Sequence, residues 1–133
     1  MKNFALDTNT VSSLLEGDRA LLAVLTGVPR FALPVVVVGE YRYGLQRSRH
    51  RKQLDAMLDG LVAESDLLVI DDETTQSYAR VREALRAKGR PLPENDVWIA
   101  AVALERNFTL LTDDQMETIR TCVPDVKIEN WLK

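Results

Sequence analysis

Four short runs, Asn3–Leu6, Phe31–Leu33, Leu67–Ile70 and Thr109–Leu111, are separated by stretches whose apolar residues return at helical spacing. Runs of this length suit buried strands and are too short for core helices. Strands joined by helices must pair in parallel, with right-handed crossovers that lay helices on both faces of the sheet. The expected fold is therefore a three-layer α/β/α architecture with a central twisted parallel sheet of four to five strands, the last near Val126–Ile128. The chain has 133 residues and is 46% hydrophobic, which suits one domain spanning residues 1–133. A domain of this size builds its core without staples. Cys122 is the single cysteine and His50 the single histidine, so an internal disulfide and a Cys/His zinc site are both excluded. A reducing, cytoplasmic setting follows, with no membrane association, because no apolar run approaches the roughly 18 residues of a span. An acid at Asp7 also comes too early for a secretory signal.

Between the strands, Val11, Leu14 and Leu15 share one face of a helix that starts near Thr8 and ends at Gly17. Asp18 caps a second helix carrying Leu21, Leu22 and Leu25. Val35 to Val38 is β-branched, yet Pro34 suits a first helical turn, and a helix over 35–47 places Val36, Glu40, Tyr43 and Gly44 on one face. Residues 51–64 carry Leu54, Met57, Leu58, Leu61 and Val62 in a clear amphipathic stripe. Asp71 and Asp72 cap a helix reaching about Lys88, with Tyr78, Val81 and Leu85 inward. The segment from Asp96 to Arg106 is apolar nearly all round, which predicts a central, buried helix opening with Glu94, Asn95 and Asp96.

In parallel sheets, ligands gather beyond the carboxyl ends of the strands. Two strands end directly at carboxylates: Leu6 at Asp7, and Leu111 at Thr112-Asp113-Asp114. Asp96 enters from the most buried helix. Glu40 falls on the apolar face of its own, where an unpaired acid is seldom left. Two carboxylates about 4 Å apart repel by about 4 kcal/mol at an effective dielectric of about 20. Four of them in one cleft need protons or cations, and no Lys or Arg flanks any of them in sequence. A divalent metal offsets the charge most simply, and an all-oxygen donor set favours Mg²⁺, with Mn²⁺ as substitute. That chemistry points to phosphoryl transfer. Each acid also has a plainer reading: Asp7 as a helix cap, Asp96 as a partner of the helix dipole, Asp113 or Asp114 as turn formers. Thr8, Asn9 and Thr112 can orient water or metal ligands, or simply form turns. The three tyrosines and His50 show no spacing that demands chemistry.

The net charge of −3 argues mildly against a nucleic-acid partner, but the charge is segregated. Arg42, Arg47, Arg49, Arg51 and Lys52 form one basic window, and Arg80, Arg82, Arg86, Lys88 and Arg90 a second. Either is a solvated helix face on its own. Flanking an acidic metal site, both become candidate phosphate contacts.

The segments Leu6-Asp7-Thr8-Asn9, Glu40-Tyr41-Arg42-Tyr43-Gly44, Asn95-Asp96-Val97-Trp98-Ile99-Ala100-Ala101 and Leu111-Thr112-Asp113-Asp114 resemble the four signature blocks of PIN-domain nucleases. Their order, spacing and total length are most similar to the VapC-type toxins of toxin–antitoxin operons. The resemblance implies a PIN-like fold and a Mg²⁺-dependent endoribonuclease, working as a homodimer and silenced by a small antitoxin in a hetero-oligomer. By position, Asp7, Glu40, Asp96 and Asp114 match the acidic quartet, with Asp7 and Asp96 as direct metal ligands. Thr112 matches the hydroxyl of the fourth block, and Asp114 is favoured over Asp113 because it lies two residues after Thr112. Thr8, Asn9, Asn95 and Asp113 take supporting places, and Arg42, Arg47, Arg86 and Arg90 become candidate RNA contacts. The alternative is a catalytically inactive PIN-like module that only binds an antitoxin-like partner. A phosphotransfer enzyme of the haloacid-dehalogenase type needs a second acid where Asn9 stands.

Overall fold

The computed structural model describes residues 3–113 and 116–132. Five strands, β1 (Phe4–Leu6), β2 (Ala32–Pro34), β3 (Asp66–Leu68), β4 (Thr109–Thr112) and β5 (Ile128–Asn130), form one parallel sheet in the order β3-β2-β1-β4-β5. Helices α1 (Thr8–Leu15), α2 (Arg19–Leu25), α3 (Val35–Gly44), α4 (Arg51–Glu64), α5 (Asp72–Ala87), α6 (Glu94–Arg106) and α7 (Glu117–Cys122) flank it, completing the expected three layers. β1 is central and fully buried, as are Leu33, Leu110 and Leu111 on its neighbours. The crossover helices cover both faces, which is why these strands read as continuous apolar runs.

Local chemistry explains most boundaries. Asp18 accepts from the Leu21 amide at 3.0 Å and starts α2, after Gly17 turns the chain at φ 81°. Asp71 caps α5 through a reciprocal box with Thr74, whose hydroxyl also donates to Glu105. α6 ends on Asn107 in the left-handed conformation, φ 60°. Four successive valines open α3 as a helix despite their β-branching. Pro34 presets the first turn, and Val37 and Val38 bury into the core, so packing outweighs propensity. The helix ends at Gly44 and continues as a 3₁₀ turn, Leu45–Arg47, reaching the predicted residue 47 in tighter geometry.

Three strands shift from their expected places, the second by one residue, to Ala32–Pro34 from Phe31–Leu33. The third spans Asp66–Leu68 instead of Leu67–Ile70, and it is an outer strand with Leu67 exposed. Its only partner is β2, paired from Ala32↔Asp66 to Pro34↔Leu68, and beyond Pro34 that partner is already helical. Residues 69 and 70 therefore have no ladder to join. The last strand lies at Ile128–Asn130 because β4 sets its register, Leu110↔Ile128 through Thr112↔Asn130, while Val126 is buried in the preceding turn. Along α4 only Leu58 of the predicted stripe is fully buried, and Met57 is open to solvent. α6 is as central as predicted, burying Val97 and every residue from Ile99 to Ala103.

Candidate functional site

β1 and β4 are neighbours in register, Phe4↔Thr109 through Leu6↔Leu111, so Asp7 and Thr112 leave the sheet side by side. Strands β2 and β3 lie to one side of β1, β4 and β5 to the other. The chain thus reverses its direction of travel at this edge, the position where open parallel sheets form a crevice. Five polar or charged side chains are buried among the described residues, and three of them, Asp7, Thr10 and Thr112, gather here.

Asp7 is 3% exposed and caps α1: its Oδ1 accepts from the Thr10 amide at 2.9 Å and from the Thr10 hydroxyl at 2.6 Å. The same hydroxyl oxygen lies 2.7 Å from the Leu111 carbonyl oxygen, so one buried side chain ties the end of β1 to β4. A hydroxyl has one proton, shared here between two acceptors. The capping reading of Asp7 and the site reading are therefore compatible: the cap engages Oδ1 and fixes where Oδ2 points.

Glu40 sits half-buried on α3, and its Oε1 accepts a hydrogen bond from the Thr8 hydroxyl at 2.7 Å. Asp96, also half-buried, belongs to the first turn of α6. Burial lifts its carboxyl above the usual carboxylate range, and the negative charges of Glu40 and Asp7 push it further the same way. The charges at the end of β1 and on α3 thus both bear on Asp96 at the start of α6. No cation figures among the causes of that shift.

Asp113 is half-buried immediately after Thr112, at the end of β4; Asp114 lies outside the described residues. Asn9 and Asn95 are exposed in the first turns of α1 and α6. Asn95 joins Val36, Gly39, Glu40 and Tyr43 around an open groove of about 510 Å³. Among the described residues no three His, Cys, Asp or Glu side chains converge into a ready-made metal cage. The donor set nevertheless suits Mg²⁺, which takes one or two protein carboxylates, keeps several of its waters, and relieves the repulsion at Asp96.

Asp71 caps α5 as expected, its carboxyl drawn below the usual range by the Thr74 amide first and also by Arg106. The two basic windows differ. In the second, Arg80 pairs with Asp125, Arg82 with Glu94 and Arg86 with Glu83, while Arg90 donates to the Thr118 hydroxyl. In the first, Arg42 bridges Asp55 and Asp59 on α4. Arg47 is exposed, and Arg49, His50, Arg51 and Lys52 line an open depression at the start of α4. These are surface pairs, which are weak, whereas Arg49, Arg51 and Lys52 have no ion pair among the described residues.

Two residues of the site escaped the sequence reading. Thr10 stands at capping distance from Asp7, a legible signal, but its second bond needs β4 beside β1. Tyr43, which helical spacing puts on the Glu40 face without assigning it a role, is 75% exposed beside Glu40.

The PIN domain family model matches residues 4–120. Ribonuclease VapC2 of Rickettsia felis is 30% identical over 102 residues, covering 77% of this chain and 75% of that protein. Among solved structures, VapBC2 from Rickettsia felis, bound to a DNA fragment from its promoter, superposes with a TM-score of 0.85 at 25% identity, over 96% of this chain and 98% of that one. DNA-bound VapBC from Salmonella typhimurium superposes with a TM-score of 0.88 over 98% and 99%; at 23% identity that likeness speaks for the fold alone.

Proposed function

Because the chain belongs to the PIN-domain family, among the VapC-type toxins of toxin–antitoxin systems, we propose that it is a Mg²⁺-dependent endoribonuclease built on Asp7, Glu40, Asp96 and Asp114. The observation that carries this reading is the placement of Glu40 beside the end of β1, where Thr8 donates to it at 2.7 Å, with the charges of Glu40 and Asp7 both bearing on Asp96.

Asp7 and Asp96 would hold the ion, with Glu40 and Asp114 completing its surroundings and Mn²⁺ an acceptable substitute. When bound, the ion polarises the scissile phosphate and stabilises the charge that builds in the transition state. Thr10 fixes the Asp7 carboxylate from behind, and Thr8 holds one oxygen of Glu40, leaving the other to orient or deprotonate the attacking water. Thr112 and Asp113 shape the β4 side of the cleft, and Asn9 and Asn95 its rim. RNA is the substrate, its backbone met by exposed basic residues of the first window, Arg47 among them, with Arg42, Arg86 and Arg90 as contacts once their present partners exchange.

The partner is a small cognate antitoxin, a reading supported by the likeness to VapBC2 from Rickettsia felis, acting on a toxin homodimer. The absence of a ready-made metal cage among the described residues favours a second reading, an inactive module that only binds the antitoxin. Cleavage of RNA by the purified chain decides between them. The nuclease loses activity in EDTA and in Asp7→Asn or Asp96→Asn while its fold persists; the inactive module cleaves nothing under any condition.

A further inference from the structure

We propose that the groove between α3 and the start of α6 is a nucleobase subsite, in which Tyr43 stacks on a base of single-stranded RNA and Asn95 reads that base's edge. It rests on the ribonuclease reading and adds the part of the substrate that the acid cluster does not touch.

Val36, Gly39 and Tyr43 recur at i, i+3 and i+7 on α3 and form one side of the groove, with Asn95 facing them from α6. Tyr43 is the most exposed large apolar side chain among the described residues. Gly39, with no side chain of its own, leaves this wall of the groove low between Val36 and Tyr43. A flat apolar wall, an aromatic face and an amide offering both donors and an acceptor suit a heterocyclic base. Glu40 lines both this groove and the acid cleft, so a base seated here sets its own phosphodiester beside the acids. From Tyr43 the chain runs through Arg47 into the depression lined by Arg49, His50, Arg51 and Lys52, a continuing track for an anionic backbone.

The test uses the full chain carrying Asp96→Asn, so that bound RNA is not cut, and labelled octamers of A, C or U followed by fluorescence anisotropy in Mg²⁺ buffer. Adding Tyr43→Ala weakens binding roughly 10- to 100-fold, and Tyr43→Phe retains it. Gly39→Leu weakens binding while melting no lower than the parent, which separates a filled groove from a damaged fold. Asn95→Ala flattens the ranking among the three octamers. Binding unchanged in both Tyr43→Ala and Gly39→Leu overturns the subsite. So does unchanged RNA binding accompanied by loss of a co-expressed antitoxin, which would assign the groove to a protein partner. If the parent binds no octamer, the subsite falls; if the wild type also cleaves no RNA, the ribonuclease reading falls with it.

Discussion

The Thr8 hydroxyl donates to Glu40 Oε1 across 2.7 Å, joining the first turn of α1 to the middle of α3. The two residues lie 32 positions apart, and the bond exists only because the α1·α3 contact carries Glu40 to the end of β1. It fixes one oxygen of the carboxylate and thereby the direction of the other. Hydrogen bonds to charged groups are worth about 1.5–3 kcal/mol, so Thr8→Val is expected to lower kcat for RNA cleavage by about tenfold or more. Thr8→Ser restores it. Equal rates in the wild type and Thr8→Val would mean that Glu40 needs no such support.

Thr10 is expected to matter for stability as well. Replacing it with valine leaves the buried Asp7 carboxylate and the Leu111 carbonyl each short of a hydroxyl partner, a cost of about 1–3 kcal/mol in urea denaturation. Thr10→Ser keeps most of the wild-type midpoint. A valine variant as stable as wild type would show that the bridge between β1 and β4 is not under load.

For Asp96 the sign of the pH dependence follows from its raised carboxyl. Well below the ordinary carboxylate value both folded and unfolded chains hold the proton, and its ionisation costs the fold nothing. As the pH rises through the raised folded value, the native state must carry a charge beside Glu40 and Asp7, and stability is lost. Asp96→Asn in EDTA is therefore expected to raise Tm at pH 7, on the order of 2–4 °C for each 1 kcal/mol of repulsion relieved, with the gain vanishing in acid. Asp71 and Glu83, whose carboxyls are held low by Thr74 and Arg86, contribute with the opposite sign. They are the same in both proteins and cancel in the comparison. A Tm difference that does not change with pH would contradict the assignment.

The basic windows give a prediction in salt. Neutralising Arg49 and Lys52 together should reduce the slope of log Kd against log salt for single-stranded RNA by about 1.4, because each phosphate contact contributes about 0.7. Arg86→Gln should change that slope less, since Glu83 already holds its guanidinium through two hydrogen bonds. The reverse ranking would move the RNA track to α5.

How far the sequence spoke depended on the range of the interaction. The caps Asp7, Asp18 and Asp71 act within three residues, so strand ends and helix starts could be read directly. The buried α6 announced itself by being apolar nearly all round. The acids Asp7, Glu40 and Asp96 could be picked out because carboxylates on apolar faces or at strand ends are costly wherever they fall. Their approach was conditional on α3 packing against both α1 and α6, which no local pattern supplies. The limits of β3 and β5 were set by partner strands, Pro34 in one case and β4 in the other, so local composition misplaced them by one or two residues. The second bond of Thr10 and the open ring of Tyr43 are tertiary facts without a local signature.

The central claim is that these carboxylates, brought together from distant segments, bind a divalent cation. Calorimetric titration of Mn²⁺ into the full wild-type chain and into Asp96→Asn tests it most directly. A saturable heat in the wild type that is lost or greatly weakened in Asp96→Asn, with a metal-dependent rise in Tm in the wild type alone, is the predicted result. No saturable heat in the wild type, or the same isotherm in both proteins, would contradict it.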